Sequence, residues 1–96
     1  MIEFEWDEIK RERNIKLHRL DFIDILPIFS AQEILVFQDI RNDYGEQRFI
    51  LMGQFNTMFY LVVFTIRQTK IRIISARRGN KRERLFYEKK QRTGFN

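Results

Sequence analysis

The sequence predicts an α+β fold: a short N-terminal strand and two helices, then an antiparallel meander of about four strands and a C-terminal helix. Three observations predict it. Apolar residues keep helical spacing through the first third of the chain and change to strand-like runs from Glu33 onward. Several of those runs are joined by only two or three residues, which suits antiparallel neighbours. A Gly79-Asn80 break then precedes a stretch with helical spacing again.

Each element has its own warrant. Ile2 to Trp6 alternates apolar Ile2, Phe4 and Trp6 with Glu3 and Glu5, the pattern of a half-buried strand. Asp7 can cap a helix running to His18 or Arg19, with Ile9, Leu17 and Leu20 as the expected buried stripe and the Arg13 stem along it. A second helix is expected between Asp21 and Ser30, with Phe22, Leu26 and Phe29 at i, i+4 and i+7. Pro27 complicates it. Capped by Asp21, the helix would carry Pro27 in its interior; capped by Asp24, it would carry Pro27 in its first turn. A kinked or late-starting helix is the expectation. Ile34 to Phe37 reads as a short strand, Ile40 to Gln47 as a loop, and Arg48 to Gln54 as the next strand. Met58 to Ile66 is a continuous apolar run rich in β-branched and aromatic residues, which places it at the sheet centre. Lys70 to Ser75 puts Ile71 and Ile73 on one face and Lys70 and Arg72 on the other. Lys81 to Gln91 is the last helix, with Leu85 and Phe86 as docking residues, and the final residues are expected to fray.

Length and composition narrow the function classes. Ninety-six residues make one domain over 1–96, with a core that buries about two-thirds of the unfolded surface. There is no cysteine, which removes disulfide frameworks and thiolate zinc sites. The longest apolar run, Met58 to Phe64, is too short to span a membrane, and the acidic start is unlike a secretory signal, so a cytosolic location is expected. The net charge of +5 is uneven. Residues 1–46 carry six Lys/Arg and eleven Asp/Glu, whereas residues 47–96 carry twelve and two. A basic half beside an acidic half suits a polyanion-binding face, although a basic tail without a role is the plainer alternative.

Most catalytic constellations are missing. One histidine cannot build a His-rich metal site, and the carboxylates show no metal spacing. There is no phosphate loop and no nucleophile elbow. What stands out is arginine on strands and strand ends: Arg48, Arg67, Arg72, Arg77 and Arg78. Guanidinium groups fork onto phosphate and stabilise charge that builds on phosphorus. RNA brings its own nucleophile, the 2′-hydroxyl, so alignment, proton transfer and anion stabilisation suffice without a cofactor. His18 and Glu46 are the candidates for proton transfer. The plainer readings are a helix cap for His18 and a strand-end ion pair for Glu46. Lys81, Arg82 and Arg84, with Lys89 and Lys90, make the last helix basic, for RNA contact, for an acidic partner segment, or simply for solvent. Tyr44 and Phe95 are candidates to stack on bases, and Tyr87 to dock the helix.

Taken in order, several segments resemble the BrnT family of ribonuclease toxins, related in fold to RelE and ParE. They are Phe4-Glu5-Trp6-Asp7 with Lys10; Asn14, His18 and Phe22; Asp43-Tyr44-Gly45-Glu46 with Arg48; Gly53; Val62-Val63-Phe64-Thr65; Ile71 to Arg77; and Arg82-Glu83-Arg84 with Tyr87. The resemblance implies a RelE-like fold and a toxin that cuts RNA and arrests growth. It implies neutralisation by a BrnA-like ribbon-helix-helix antitoxin, through which alone operator DNA would be bound. It makes His18, Glu46, Arg48, Arg72 and Arg77 the expected catalytic set, and Arg67, Arg78, Lys81, Arg82 and Arg84 the expected RNA contacts. The chain departs from the family pattern at Leu17-His18-Arg19, where Lys-His-Gly is usual, at Pro27, and at Arg78-Gly79, where Lys-Ala is frequent. Without that glycine the first helix is expected to end without a left-handed cap residue. A non-catalytic binding module and a ParE-like poison of a protein target are the alternatives.

Overall fold

The computed structural model describes residues 2–93; the expected frayed end and Phe95 lie outside them. The elements are β1 (Glu3–Trp6), α1 (Glu8–His18), α2 (Phe22–Ile25), a 3₁₀ turn (Leu26–Ser30), β2 (Ile34–Asp39), β3 (Arg48–Phe55), β4 (Met58–Arg67), β5 (Lys70–Arg78) and α3 (Lys81–Thr93). The five strands form one mixed sheet in the order β1-β5-β4-β3-β2. The meander from β2 to β5 is antiparallel throughout, and β1 adds to β5 in parallel.

β4 sits in the middle of the sheet, as its unbroken apolar run requires. Tyr60, Val62 and Phe64 face a core built with Phe22, Ile25, Ile28, Leu51, Ile73 and Ala76. Phe59 and Leu61 face a second core with Ile50, Met52 and Tyr87. Thus α2 and the 3₁₀ turn cover one sheet face, here the inner face, and α3 covers part of the other. The β3–β4 hairpin turns on Asn56 and Thr57, both at positive φ (50° and 66°), the conformation that matches the twist of the flanking strands.

Several expectations change. Asp21 caps α2, accepting from the Ile23 amide at 3.1 Å, yet Pro27 breaks no α-helical hydrogen bond. The α-helix ends at Ile25, and Pro27 opens the 3₁₀ turn, where its missing N–H costs nothing. Asp21 also takes a forked pair of bonds from Arg11 at 2.8 and 2.7 Å, tying α1 to α2. The last helix docks through Tyr87, which is buried and donates to the Glu33 carbonyl, while Leu85 points outward. Phe86, half exposed, meets the Phe37 ring edge-on and lies under the Lys90 ammonium group. β5 continues beyond Ser75 to Arg78, so Arg77 and Arg78 lie on the strand itself. Gly79 then passes flush against Phe59; a Cβ there would come within 2.2 Å of the ring.

Of the stripe expected on α1, only Leu20, just past the helix end, packs against the core. Ile9 and Leu17 are 63% and 76% exposed. The buried residue of the helix is polar Asn14. Its amide nitrogen donates to the carbonyls of Ala76 and Leu20, both at 2.8 Å, and its oxygen accepts from the Ala76 amide at 3.1 Å. β1 pairs with β5 only as far as Ile73, so the edge of β5 beyond that point lacks a strand neighbour. Asn14 stands where that strand would be and answers the Ala76 peptide group in both directions.

Asn14→Leu keeps volume and helix propensity but leaves that peptide unpaired in the interior. The expected loss is about 2–4 kcal/mol from two buried, unsatisfied backbone groups, read from urea unfolding; a loss under about 0.5 kcal/mol would contradict the role given to Asn14.

Candidate functional site

The site begins with a β-bulge. Val63 pairs with Ser75 but Phe64 pairs with Ile73, so Ile74 has no counterpart on β4. Without the extra residue, Ser75 and Arg77 would share the face of Ile73 and enter the inner core. With it, Ala76 turns inward and is fully buried, while Ser75 and Arg77 join Arg72 on the opposite face.

That face carries a polar row at one end. Glu5 on β1, Arg72 on β5 and Thr65 on β4 are register partners in turn, and Asp39 on β2 is the partner of Arg48 on β3. Arg72 donates to Glu5 at 2.9 Å. Arg48 lies 3.4 Å from Glu46 and 4.1 Å from the centroid of the Tyr44 ring, and Glu46 also meets Arg67 at 3.3 Å. Tyr44 donates to Asp39 at 3.1 Å. Its ring is therefore occupied by Arg48 and its hydroxyl by Asp39.

Further along the same face, Arg77 forks onto Glu83 at 2.9 and 2.7 Å. Glu83 also accepts from the Asn80 amide at 2.9 Å while the Asn80 side chain accepts from the Glu83 amide at 2.8 Å. This reciprocal cap starts α3, so one carboxylate both opens the helix and holds the arginine. Arg77 and Glu83, with Arg41 and Ser75, rim a cavity of about 190 Å³ floored by Ile50, Met52, Leu61 and Val63.

On the outer side of β5, α1 brings up His18, one turn beyond Asn14. His18, Arg19, Arg77 and Arg78 line an open cavity of about 450 Å³. Arg19 is the residue that ends α1, at φ 56° and ψ 38°, its amide donating to the Ile15 carbonyl at 2.8 Å. The left-handed cap is thus present, contrary to expectation, but it is made by an arginine. The backbone strain there is about 1–2 kcal/mol for a residue with a Cβ.

The predicted residues therefore fall into two groups. His18, Arg77 and Arg78 come together at the free edge of β5. Glu46, Arg48, Arg67 and Arg72 gather at the opposite end of the sheet. Arg72 pairs with Thr65 and Arg77 with Leu61, four residues apart on β4 and so about 13 Å. Lys81 and Arg82 are exposed on the first turn of α3, and Arg84 leans over Phe59. Arg41 and Asp39 were missed: Asp39 lies past the expected end of its strand and Arg41 in a segment read as a loop. Among the described residues, no three His, Cys, Asp or Glu side chains converge as a metal site. No helix among them is long and apolar enough to cross a membrane.

Hydrogen bonding sets the electrostatics. The Arg41 guanidinium holds the Asp39 carboxyl far below the usual carboxylate range, against the opposing effect of burial. Arg77 does the same, less strongly, for Glu83, and Arg11 for Asp21. Arg77 in turn is held above its ordinary value by Glu83.

A family model described as the ribonuclease toxin BrnT of type II toxin–antitoxin systems matches residues 6–83. The chain belongs to the BrnT family. No curated protein matches it. The BrnT match runs from the last residue of β1 to Glu83, the carboxylate that grips Arg77, and so spans both groups of arginines.

Two outcomes follow. The lowered carboxylates Asp21, Asp39 and Glu83 contribute stability that is fully present above their ordinary values of 3.8 and 4.5 and is lost as pH falls through the depressed ones. Urea midpoints should therefore hold from pH 7 to 5 and decline toward pH 3, with a smaller decline in Glu83→Gln; an equal decline would remove Glu83 from this account. Arg19→Gly should raise stability by about 0.5–1 kcal/mol by relieving the left-handed arginine, and an unchanged or lower midpoint would show that no strain is stored there.

Proposed function

We propose that this BrnT-family toxin is a metal-independent endoribonuclease that uses the 2′-hydroxyl of its RNA substrate as nucleophile. The observation that carries this reading is the cavity where His18 faces Arg19, Arg77 and Arg78. There the chain's one imidazole shares a cavity with three guanidinium groups.

In this scheme Arg77 and Arg78 hold the scissile phosphate and take up the charge that grows on its oxygens. His18 accepts the proton of the 2′-hydroxyl as that oxygen bonds to phosphorus. The bond from phosphorus to the 5′-oxygen breaks, and the 5′-oxygen takes a proton from water as it leaves. The products are a 2′,3′-cyclic phosphate and a 5′-hydroxyl. Arg48, Arg67 and Arg72 at the other end of the sheet, and Lys81, Arg82 and Arg84 on α3, hold the RNA backbone on either side; there Glu46 orients Arg48 and Arg67. In the cytoplasm this activity halts translation and growth. A BrnA-like ribbon-helix-helix antitoxin neutralises the toxin and carries the operator DNA contacts. The description of the matched family as a type II ribonuclease toxin supports both halves of this reading.

Purified protein incubated with a defined RNA should leave 2′,3′-cyclic or 3′-phosphate ends; 3′-hydroxyl ends would overturn the mechanism. Arg77→Ala should slow cleavage by about 10²–10³-fold, the loss typical of one transition-state donor. His18→Ala should slow it by at least about 10²-fold, and Arg72→Ala by less than either. Equal effects of Arg72 and Arg77 would move the reacting phosphate to the polar row.

A further inference from the structure

Arg41 is used by neither the reaction scheme nor the expected RNA contacts, and its setting is built rather than incidental. It follows β2, whose last residue, Asp39, has a side chain only 1% exposed. That buried carboxylate accepts from the Arg41 amide at 3.2 Å, from its Nε and one terminal nitrogen at 2.8 Å each, and from Tyr44 at 3.1 Å. The backbone and the guanidinium of Arg41 are thus gripped by the same group. Arg41 nevertheless keeps a side chain 65% exposed at the rim of the cavity that Arg77, Ser75 and Glu83 also line. Two guanidinium groups brought to one rim repel each other, and holding one of them there with a buried carboxylate has a cost that folding alone does not require. Two guanidinium groups at one rim, each braced from behind by a carboxylate, put paired cationic groups where a phosphodiester could meet both.

We propose that Arg41 is a phosphate ligand of the RNA substrate, held in place by Asp39, and that with Arg77 it clamps the phosphate adjoining the one cleaved. This rests on the reading of the protein as an RNA-cleaving toxin. The apolar floor beneath the clamp, Ile50, Met52, Leu61 and Val63, then meets the sugar or base attached to that phosphate. Arg77, which lines both cavities, bridges the reacting phosphate and its neighbour.

The test is binding of a 2′-O-methyl RNA oligonucleotide, which keeps every phosphate but has no free nucleophile, followed by fluorescence anisotropy over a salt series. Arg41→Ala alone would strand the buried Asp39 charge, so the Asp39→Asn/Arg41→Ala double variant is measured beside it. The double variant leaves net charge unchanged, and no buried carboxylate is orphaned. Both should bind about ten-fold more weakly, with the slope of log affinity against log salt smaller by about one, the signature of one lost phosphate contact. Arg92→Ala, an exposed charge on α3, should change neither the slope nor cleavage. Wild-type affinity and slope in the folded double variant would overturn the Arg41 assignment while leaving the ribonuclease reading standing. Wild-type protein that neither binds this oligonucleotide nor cleaves RNA would overturn both.

Discussion

The contact on which the rest of the molecule depends is the pairing of one side-chain amide with one peptide group. Asn14 meets both polar atoms of the Ala76 peptide and reaches back to Leu20 at the end of its own helix. A strand edge in the interior must find partners for its backbone, and here a helix supplies them with one side chain. This fixes the distance of α1 from β5. It fixes the strand just past its bulge, where a slip of one residue would exchange the two faces. It also sets the direction in which His18 emerges one turn later. Helix packing, strand register and the edge cavity thus share a single polar anchor.

The sequence carried the architecture well because most of it is written in apolar periodicity. The alternation of Ile2, Phe4 and Trp6, the unbroken run of β4 and the Asp7 cap each map onto an element of the structure. The pairing of β3 with β4, and of β4 with β5 up to the bulge, follows from the two-residue connections 56–57 and 68–69. Two features were hidden for a physical reason. Asn14 looks like a surface residue of a polar helix, because its worth lies in a partner 62 residues away rather than in any local pattern. The Ile74 bulge looks like one more β-branched residue in a strand, since an extra residue changes facing without changing composition.

The candidate site was legible in kind but not in arrangement. Arginine at strand ends was read as anion-binding, and five of those arginines do lie on or beside the sheet. Sequence order could not separate His18 with Arg77 and Arg78 from Glu46 with Arg48 and Arg67, because the separation is set by strand direction. Nor did it flag Asp39 and Arg41. Their signal was a carboxylate and an arginine two residues apart at a strand exit, a spacing common on solvated turns, and only burial of the carboxylate gives it meaning.

One feature runs through every arginine of the α3-side face. Arg41, Arg72 and Arg77 each hold a carboxylate of the protein itself, Asp39, Glu5 and Glu83, and Arg48 and Arg67 share Glu46. A strongly basic chain thereby presents its sheet as a set of internally balanced pairs. On the ribonuclease reading, a phosphate reaching Arg48, Arg72 or Arg77 competes with a tethered, partly exposed carboxylate, whereas buried Asp39 stays on Arg41. At those three arginines such an exchange would release fewer ions than their number suggests, so association there would be less sensitive to ionic strength than at Arg41. Under that reading the surface would favour a polyanion whose phosphates match the spacing at which those carboxylates now sit.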